Sequence, residues 1–230
     1  MSTQLTYTAM IHGYDYKFFQ VRANPAFGGT WSRVFSILDA LPRYRFVISM
    51  DSDAIWNLPE VPIEWLLNHW NITADTSLAF AGDWDHCIAK DNGSCVNGGF
   101  IIAQQNERTT EIMRAWRDCP YGVQFPGCEN WARHFSHEQK AFNEFLIPEY
   151  TRPTDIVRLP CDESDGSEGD YTGCHGVFIS HFWATKLSVR IGIANTIMRS
   201  LTQRLHGYFV SHREELLEDH DMLGTSKEAR

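Results

Sequence analysis

The stretch Phe46-Val47-Ile48-Ser49-Met50-Asp51-Ser52-Asp53 decides the fold of this chain. Its first five residues form a largely apolar run, as is typical of strands that are buried on both faces of a sheet. Two carboxylates follow directly, at positions i and i+2, and like charges held so close repel each other unless a cation neutralises them. The stretch therefore predicts a buried strand whose carboxyl end binds a divalent metal ion through Asp51 and Asp53.

The chemistry of the ligands indicates which metal this is. Oxygen ligands from carboxylates and phosphates suit Mg²⁺ or Mn²⁺, and such an ion can bridge to a diphosphate and stabilise its charge as a leaving group. A second interpretation needs no metal: Asp51 would cap the following turn and Asp53 would be solvated. The apolar strand in front of the pair favours the metal site.

The elements around this stretch predict an α/β fold. Residues 5–11 (LTYTAMI) form a predicted strand, residues 31–41 have the apolar spacing of an amphipathic helix, and residues 45–50 form a second strand. The order strand, helix, strand favours a parallel sheet with ligands at the carboxyl ends of its strands. His12 and Gly13 open the polar turn after the first strand, so they are candidates for ligand binding.

The alternation of elements continues along the chain. Helices are predicted over residues 62–70, 107–118, 137–145 and 191–209, and short strands over 78–81, 99–103, 157–159 and 177–180. The Gly- and Asp-rich segment 161–174 is a predicted loop, and residues 211–230 form a charged stretch. No internal repeat and no linker long enough to separate two independent domains occurs in the sequence.

A second polar group follows the predicted strand 177–180. His181 can supply a neutral imidazole to the metal of Asp51 and Asp53, and Lys186 can reach the outer oxygens of a phosphate. The alternative for His181 is an ordinary, partly buried histidine. If the metal site is real, three ligands from two strand ends converge on one cation.

Two further segments contain groups that suit a sugar. Asn97 could hydrogen-bond a sugar hydroxyl, and Gly98 next to it permits a close approach of the backbone, although the pair could also be a simple turn into a strand. The polar cluster 83–86 could line a groove for an acceptor, with Trp84 stacking on a sugar ring.

Glu138 and Gln139 open the predicted helix 137–145. Their acid and amide groups lie near the helix N-terminus, where they could face a ligand. The alternative is that Glu138 is an N-terminal acid that only offsets the helix dipole.

The composition excludes several classes of protein. A chain of 230 residues that is 43% hydrophobic can bury a full core, which excludes disorder. Lys and Arg total 20 against 29 Asp and Glu, a net charge of −9, which argues against a nucleic-acid partner. We expect most of the acidic excess to lie in segment 161–174 and the C-terminal stretch, away from the metal. No apolar window of about 18 residues and no signal-peptide pattern occurs.

The six cysteines, at positions 87, 95, 119, 128, 161 and 174, contain no CxxC pair, so zinc-ribbon spacing is absent. Consecutive pairs are separated by 8, 9 and 13 positions, which favours three local disulfides in an oxidising compartment among 15 possible pairings. Six free thiols in a cytosolic protein are the alternative. The sequons at Asn71 and Asn92 favour the secretory pathway.

Six of these motifs occur in the order found in glycosyltransferase family 34. They are HGYDY after the first strand, the helix that begins at Trp31, the strand ending in DSDA, the NGGF strand, the EQ helix and the HFxxxK segment. The chain resembles that family over about residues 5–190. The family contains fungal α-galactosyl- and α-mannosyltransferases and plant xyloglucan xylosyltransferases, which are metal-dependent retaining enzymes of GT-A fold. The resemblance implies a mostly parallel, Rossmann-like central sheet flanked by helices. It also implies a catalytic domain over 1–190 and a C-terminal helix with a charged tail over 191–230.

The resemblance implies roles for individual residues on the metal side. Asp51 and Asp53 are similar to the family's metal-binding DxD pair, and His181 to its third metal ligand. Ser52 would lie near the nucleotide ribose, and Lys186 would contact the donor diphosphate.

On the sugar side, Glu138 and Gln139 are similar to an acidic-Gln segment beside the transferred sugar. The family often has two acids before the Gln, and here the first of those positions is His137. Asn97, Gly98, His12 and Gly13 remain the other candidates for binding the nucleotide sugar.

Taken together, the resemblance implies a retaining transferase that moves a sugar from a UDP- or GDP-sugar to a glycan hydroxyl with Mn²⁺ or Mg²⁺, forming an α-glycosidic bond. It also implies the Golgi lumen, with a membrane anchor upstream of this chain. One alternative is a phosphohydrolase of haloacid dehalogenase type, although Ile55 stands where that class usually has Thr or Val. The other is a carbohydrate-binding GT-A domain without activity.

Overall fold

The structure is a computed structural model that describes residues 3–22, 24–83, 95–166 and 173–218. The α-helices of these residues are α1 (Thr3–His12), α2 (Ser32–Ala40), α3 (Ile63–His69), α4 (Glu107–Asp118), α5 (His137–Ala141), α6 (Ile147–Glu149), α7 (Cys161–Ser164), α8 (Val189–Ser211) and α9 (Arg213–Leu216). The strands are β1 (Phe46–Met50), β2 (Ala54–Trp56), β3 (Leu78–Gly82), β4 (Val96–Gln104), β5 (Ile156–Leu159) and β6 (Ile179–His181). Short 3₁₀-helices span Gly29–Trp31, Leu41–Arg43, Cys119–Tyr121, Cys128–Ala132 and Lys186–Ser188, and a π-helix, Phe142–Leu146, joins α5 to α6.

The central sheet has the strand order β1-β4-β3-β5. β4 is antiparallel to both β1 and β3, whereas β5 is parallel to β3. Strands β1, β3 and β5 therefore run in one direction, and β4 runs against them in the middle of the sheet. The fold is the expected α/β arrangement with a central sheet flanked by helices, with one reversed strand at its centre.

The side chains of β4 alternate between two hydrophobic clusters. Ile101 and Ala103 pack with α2 and α4, in the cluster that contains Trp31 and Trp116. Phe100 and Ile102 point the other way, into the cluster that α3 supplies. This alternation is the period of two that every strand has, and it shows that helices cover both faces of the sheet. Each large apolar side chain buried in this way contributes about 1.5–3 kcal/mol.

A small second sheet joins distant parts of the chain. β2 pairs with β6 in antiparallel register, with Ala54 opposite His181 and Trp56 opposite Ile179. β2 was not predicted, since three residues are too short to show an alternation pattern. β6 includes His181, whereas the predicted strand ended one residue before it.

The predicted strand over residues 5–11 is wrong, because this segment belongs to helix α1. Thr8 and Ala9 are both buried although they are adjacent, which a strand with one covered face does not allow. The helix contacts β2, and the hydroxyl of Tyr7 lies 2.9 Å from that of Ser200 in α8. A run of seven residues is too short for its period to identify it, and tertiary contacts decided its structure. Within the described residues no strand precedes β1, so the strand-helix-strand unit predicted there does not exist.

The other helices and strands confirm the predicted bounds to within a few residues. The expectation that β1 is buried on both faces is wrong, because β1 lies at the edge of the sheet and its residues are half-buried. α4 has the predicted bounds, and the predicted helix over 137–145 continues to Glu149 through the π-helix. β4 starts three residues before the predicted strand, at Val96. The predicted loop 161–174 begins with the one-turn helix α7, and residues 167–172 lie outside the described part of the chain.

Two of the three predicted disulfides are present, Cys119–Cys128 and Cys161–Cys174. Cys87, the sequon at Asn92 and the positions 84–86 lie outside the described residues, so the predictions for them are untested. Among the described helices, none is both long enough and apolar enough to span a bilayer.

Candidate active site

The two carboxylates of the DSD motif lie in the turn between β1 and β2. The amide of Asp51 donates a hydrogen bond of 2.9 Å to the Gly99 carbonyl of β4, and the amide of Ala54 donates one of 3.0 Å to the Asp51 carbonyl. These bonds close a turn at the carboxyl end of β1. Within it Asp53 is buried, Asp51 is partly exposed and Ser52 is exposed.

His181 reaches the same point from β6, because the register of the small sheet places it opposite Ala54. Its Nε2 lies 3.7 Å from Asp51 Oδ2 and 3.5 Å from Asp53 Oδ1. One ligand atom from each of these three residues lies within 4.8 Å of the others, as a shared metal ion requires. The structure thus brings together the three residues that were predicted as metal ligands.

A fourth carboxylate holds the other nitrogen of this imidazole. His181 Nδ1 donates a hydrogen bond of 2.8 Å to Asp165, and both side chains are buried. The backbone supports the contact, since the His181 amide donates to the Gly166 carbonyl over 2.6 Å. The expectation that the acids of segment 161–174 lie away from the metal site is therefore wrong for Asp165.

The charges in this cluster shift the proton affinities of its members. Burial alone would lower the pKa of His181, but the carboxylates of Asp165 and Asp53 outweigh it and raise this pKa to about 9. The same contact with His181, together with Lys186, holds the pKa of Asp53 well below its usual range despite its burial. Without a metal, a protonated imidazole therefore neutralises part of the carboxylate charge.

Lys186 completes this group. Its Nζ lies 3.2 Å from Asp53 Oδ2, and its side chain is otherwise exposed to solvent. The ammonium group is therefore beside the candidate metal position, and its predicted contact with a phosphate stays a prediction.

Arg33 of α2 was not predicted as a functional residue. Its guanidinium donates hydrogen bonds to Asp51 and to the Gly98 carbonyl, and its Nε lies 3.3 Å from Glu138 Oε1. Burial alone would lower its pKa, but Glu138 and Asp51 raise that pKa above the ordinary value, so the group is charged. A cation between the apolar positions Trp31 and Val34 of an amphipathic helix is a signal that could have identified it.

Glu138 is buried between Arg33 and Thr30, whose hydroxyl donates to Glu138 Oε2. Burial raises the pKa of Glu138, while Arg33 and the Thr30 hydroxyl oppose that shift. Glu138 is therefore a buried carboxylate with a cation beside it, whatever it contributes at the N-terminus of α5.

Gln139 joins the same group of residues. Its Oε1 accepts a hydrogen bond of 2.9 Å from the Gly98 amide, and its Nε2 donates one of 3.1 Å to Asp83. The predicted sugar-side residues Glu138, Gln139 and Gly98 therefore lie in one network with Asp51.

The glycines of the NGG segment serve the packing of the site itself. A Cβ on Gly98 would collide with the guanidinium of Arg33, and one on Gly99 with the ring of His181. The side chain of Asn97 accepts a hydrogen bond of 2.6 Å from the Gly99 amide. The close approach that the sequence predicted thus involves side chains of the chain itself.

His12 and Gly13 have other neighbours. His12 Nε2 lies 2.8 Å from the Pro59 carbonyl, and its ring stacks on Tyr14, with 5.2 Å between the ring centroids. The hydroxyl of Tyr14 donates to Glu64 at the start of α3. The described contacts of this turn do not include the cluster around Asp51, and its role toward a nucleotide stays a prediction.

Comparison with proteins of known structure identifies the fold. No family model matches the chain, and no curated protein matches its sequence. The crystal structure of a glycosyltransferase involved in the glycosylation of the major capsid of PBCV-1 is similar, with a TM-score of 0.59 and 16% identity. The similarity covers 86% of this chain and 90% of that one. The apo form of mouse xyloside xylosyltransferase 1 gives a weaker similarity, with a TM-score of 0.47, 12% identity and coverage of 68% and 65%. The chain has the GT-A fold, and the comparisons do not identify family 34.

Proposed function

We propose that this protein is a metal-dependent glycosyltransferase that transfers a sugar from a nucleoside diphosphate to a glycan hydroxyl with retention at the anomeric carbon. One observation carries the proposal. At one end of a GT-A sheet, the two carboxylates of the DSD turn meet the His181 imidazole, beside an exposed Lys186. The resemblance to family 34 supports the retaining outcome and the α linkage.

The residues fit a divalent cation. Ligands about 2.1 Å from an octahedral ion are about 3 Å from each other, and His181 Nε2 lies 3.5 and 3.7 Å from the two carboxylates. A small closure would therefore complete the site. Asp165 holds Nδ1 and leaves Nε2 facing Asp51 and Asp53, which is the arrangement that orients metal-bound histidines. The two carboxylates and the phosphate oxygens of a donor suit Mn²⁺ or Mg²⁺. When bound, the ion would supply positive charge to a leaving diphosphate.

Lys186 would contribute to the same side of the reaction. Its exposed ammonium group can turn from Asp53 toward the phosphate oxygens of the donor and add charge where the leaving group develops it. Ser52 is exposed in the DSD turn, which supports its proposed place beside the ribose.

Glu138 would stabilise positive charge on the sugar in the transition state. Arg33 and the Thr30 hydroxyl each engage one of its carboxylate oxygens, and these contacts lower the nucleophilicity of the group. This supports electrostatic stabilisation by Glu138 and attack of the acceptor hydroxyl from the face of the leaving group, with a phosphate oxygen taking its proton. Gln139, which links Gly98 to Asp83, would position the backbone beside the sugar.

The catalytic domain would comprise residues 1–190, and α8 with the charged stretch would be appended to it. We further propose a compartment of the secretory pathway, such as the Golgi lumen. The two disulfides support it, since such bonds persist in oxidising compartments. Mass measurement after alkylation of the unreduced protein tests this proposal, because free thiols at Cys119, Cys128, Cys161 and Cys174 would contradict it.

Calorimetry with Mn²⁺ and a panel of UDP- and GDP-sugars tests the function. We expect nucleotide binding that depends on the metal, and transfer of the sugar to water or to a glycan. Release of phosphate from a simple phosphomonoester, without a need for a nucleotide sugar, would instead support a phosphohydrolase. Carbohydrate binding without metal-dependent nucleotide binding would indicate an inactive GT-A domain.

A further inference from the structure

Helix α8 lies in a part of the chain whose charge differs from that of the rest. Residues 171–213 contain no Asp or Glu, although the whole chain has a net charge of −9. The cations of this segment are Lys186, Arg190, Arg199, Arg204 and Arg213. The helix is therefore a basic region on an acidic protein.

One face of α8 packs against the body of the protein. Val189 joins Ile55 and Phe182 in a small hydrophobic cluster, and Ile193 packs against it. Further along, Thr196 and Ser200 are buried, and the Ser200 hydroxyl donates to Glu60. These positions recur every three or four residues, so they define a single side of the helix.

The opposite side of α8 carries a second row of apolar residues, which we call the α8 stripe. Its members are Ile191, Ala194, Met198, Leu201, Leu205 and Tyr208, and all are exposed. The five large ones are between 44% and 65% exposed. The stripe runs from Ile191 to Tyr208 and is about 27 Å long at 1.5 Å per residue. From Leu201 to Ser211 every residue of the helix is exposed. An exposed apolar row of this length is typical of surfaces that bind a partner or a membrane.

The cations border this stripe. At 100° per residue, Arg190 and Arg204 lie along one edge of it. In the described part of the chain neither forms an ion pair with a carboxylate. Lys186 and Arg213 lie beyond the two ends of α8. Arg199 lies on the side of the helix away from Arg190 and Arg204, and it donates to the Asn57 carbonyl. An apolar row bordered by cations is the pattern of helices that lie in the interface of a membrane, where apolar side chains enter the acyl boundary and basic ones meet lipid phosphates.

We propose that α8 binds peripherally to an anionic membrane surface through the α8 stripe, with Arg190 and Arg204 at the lipid headgroups. The charge of the segment favours lipid over a second copy of the chain. Two copies that paired through this face would bring cations toward cations, with no acid between residues 171 and 213 to neutralise them. A bilayer with anionic lipid supplies both the apolar layer and the opposite charge. In a compartment of the secretory pathway, this binding requires anionic lipid in the luminal leaflet, which faces the protein.

The position of α8 in the chain gives this binding a consequence for the candidate active site. Leu187, which is 92% exposed, follows Lys186 directly, and Lys186 contacts Asp53. The apolar surface thus continues from α8 to the edge of the metal cluster. A bilayer under α8 would lie close to the candidate metal site.

Flotation with lipid vesicles tests the proposal. The vesicles are phosphatidylcholine alone, or phosphatidylcholine with about 30% phosphatidylserine. We expect the protein to float with the anionic vesicles only, and to be released at about 0.5 M salt. The variant L201S/L205S should lose binding by about tenfold or more, since it removes apolar contacts. The variant R190Q/R204Q should lose about thirtyfold, since each cation near the surface contributes about fivefold.

The matched controls change exposed residues outside α8. Val123→Ser removes an apolar side chain that is 83% exposed. Arg43→Gln removes an exposed cation from the 3₁₀-helix that follows α2. Both should float as the unchanged protein does. Circular dichroism confirms that each variant is folded, which we expect because all substituted side chains are exposed.

Three results would overturn the proposal. Equal binding to neutral and anionic vesicles would remove the role of the cations. Loss of binding in the control variants would show that the stripe is not the surface involved. Failure to bind either vesicle, with a dimer in sedimentation that L201S/L205S abolishes, would show that the stripe joins two copies of the chain.

Discussion

Asp165 accepts a hydrogen bond of 2.8 Å from Nδ1 of His181, and this buried contact orients the imidazole toward the DSD turn. The bond fixes which nitrogen of the ring faces Asp51 and Asp53. It also joins the loop closed by the Cys161–Cys174 disulfide to the candidate metal site. The role of Asp165 in metal binding can be tested separately from that of the ligands.

Asp165→Asn should weaken Mn²⁺ binding by about 10- to 100-fold, as the loss of a carboxylate behind a metal-bound histidine generally does. Calorimetric titration with Mn²⁺ alone measures this change. Asp162→Asn is the matched control, because Asp162 lies in the same segment with a half-exposed side chain. Equal affinities for the two variants would contradict the role of Asp165.

Asp51→Asn and Asp53→Asn should each abolish turnover of the nucleotide sugar and remove most of the Mn²⁺ affinity, because each deletes a charged ligand. Donor hydrolysis and calorimetry on the same preparations measure the two effects. Asp39→Asn changes an exposed acid paired with Arg43 and should leave both unchanged. Full activity in either DSD variant would remove the metal from the mechanism.

Gly99→Ala should reduce Mn²⁺ affinity without changing a single polar group, because the added methyl group collides with the His181 ring. The ring must turn away, and its Nε2 leaves the two carboxylates. Gly29→Ala adds the same methyl group where no atom lies within 4 Å, and should leave the affinity unchanged. Wild-type affinity in Gly99→Ala would mean that His181 is not needed in its observed position.

Arg33→Met should destabilise the protein by about 3–5 kcal/mol, because it leaves the buried Glu138 carboxylate without its cation. Adding Glu138→Gln should recover part of that loss, since the second change removes the unpaired charge. Urea unfolding of the two single variants and the double variant measures the coupling. Strict additivity would show that Arg33 and Glu138 do not act as a pair.

The metal-free protein should lose stability as the pH rises from about 6.5 to about 9. The pKa of His181 is raised in the folded state to about 9, so the folded protein binds this proton more tightly than the unfolded chain. The resulting stabilisation is complete below the unfolded pKa of about 6.5 and disappears as the pH passes the folded value. It amounts to about 3 kcal/mol at most.

Unfolding free energies between pH 6 and about 9.5 measure this loss, and His181→Gln should flatten the curve. Mn²⁺ affinity should change in the opposite direction, rising with pH, since the metal requires the neutral imidazole. A His181→Gln curve that is as steep as that of the unchanged protein would assign the effect to other groups.

Patterns within one segment predicted much of the fold. α4 shows its apolar period over twelve residues and has the predicted bounds, because a long amphipathic period is satisfied by only one secondary structure. The predictions for short segments failed for the opposite reason, because a short pattern fits more than one secondary structure. The residues of α1 suited a strand as well as a helix, and the three residues of β2 showed no pattern at all.

The sequence by itself predicted the DSD turn, since two carboxylates at positions i and i+2 after an apolar run repel each other and favour a nearby cation. Only the tertiary structure decided which partners they have. Arg33 is 18 positions from Asp51, and Thr30 is 108 positions from Glu138. A single polar residue has no period that reveals its partner, and the free energy of its contact arises only when packing removes both groups from water.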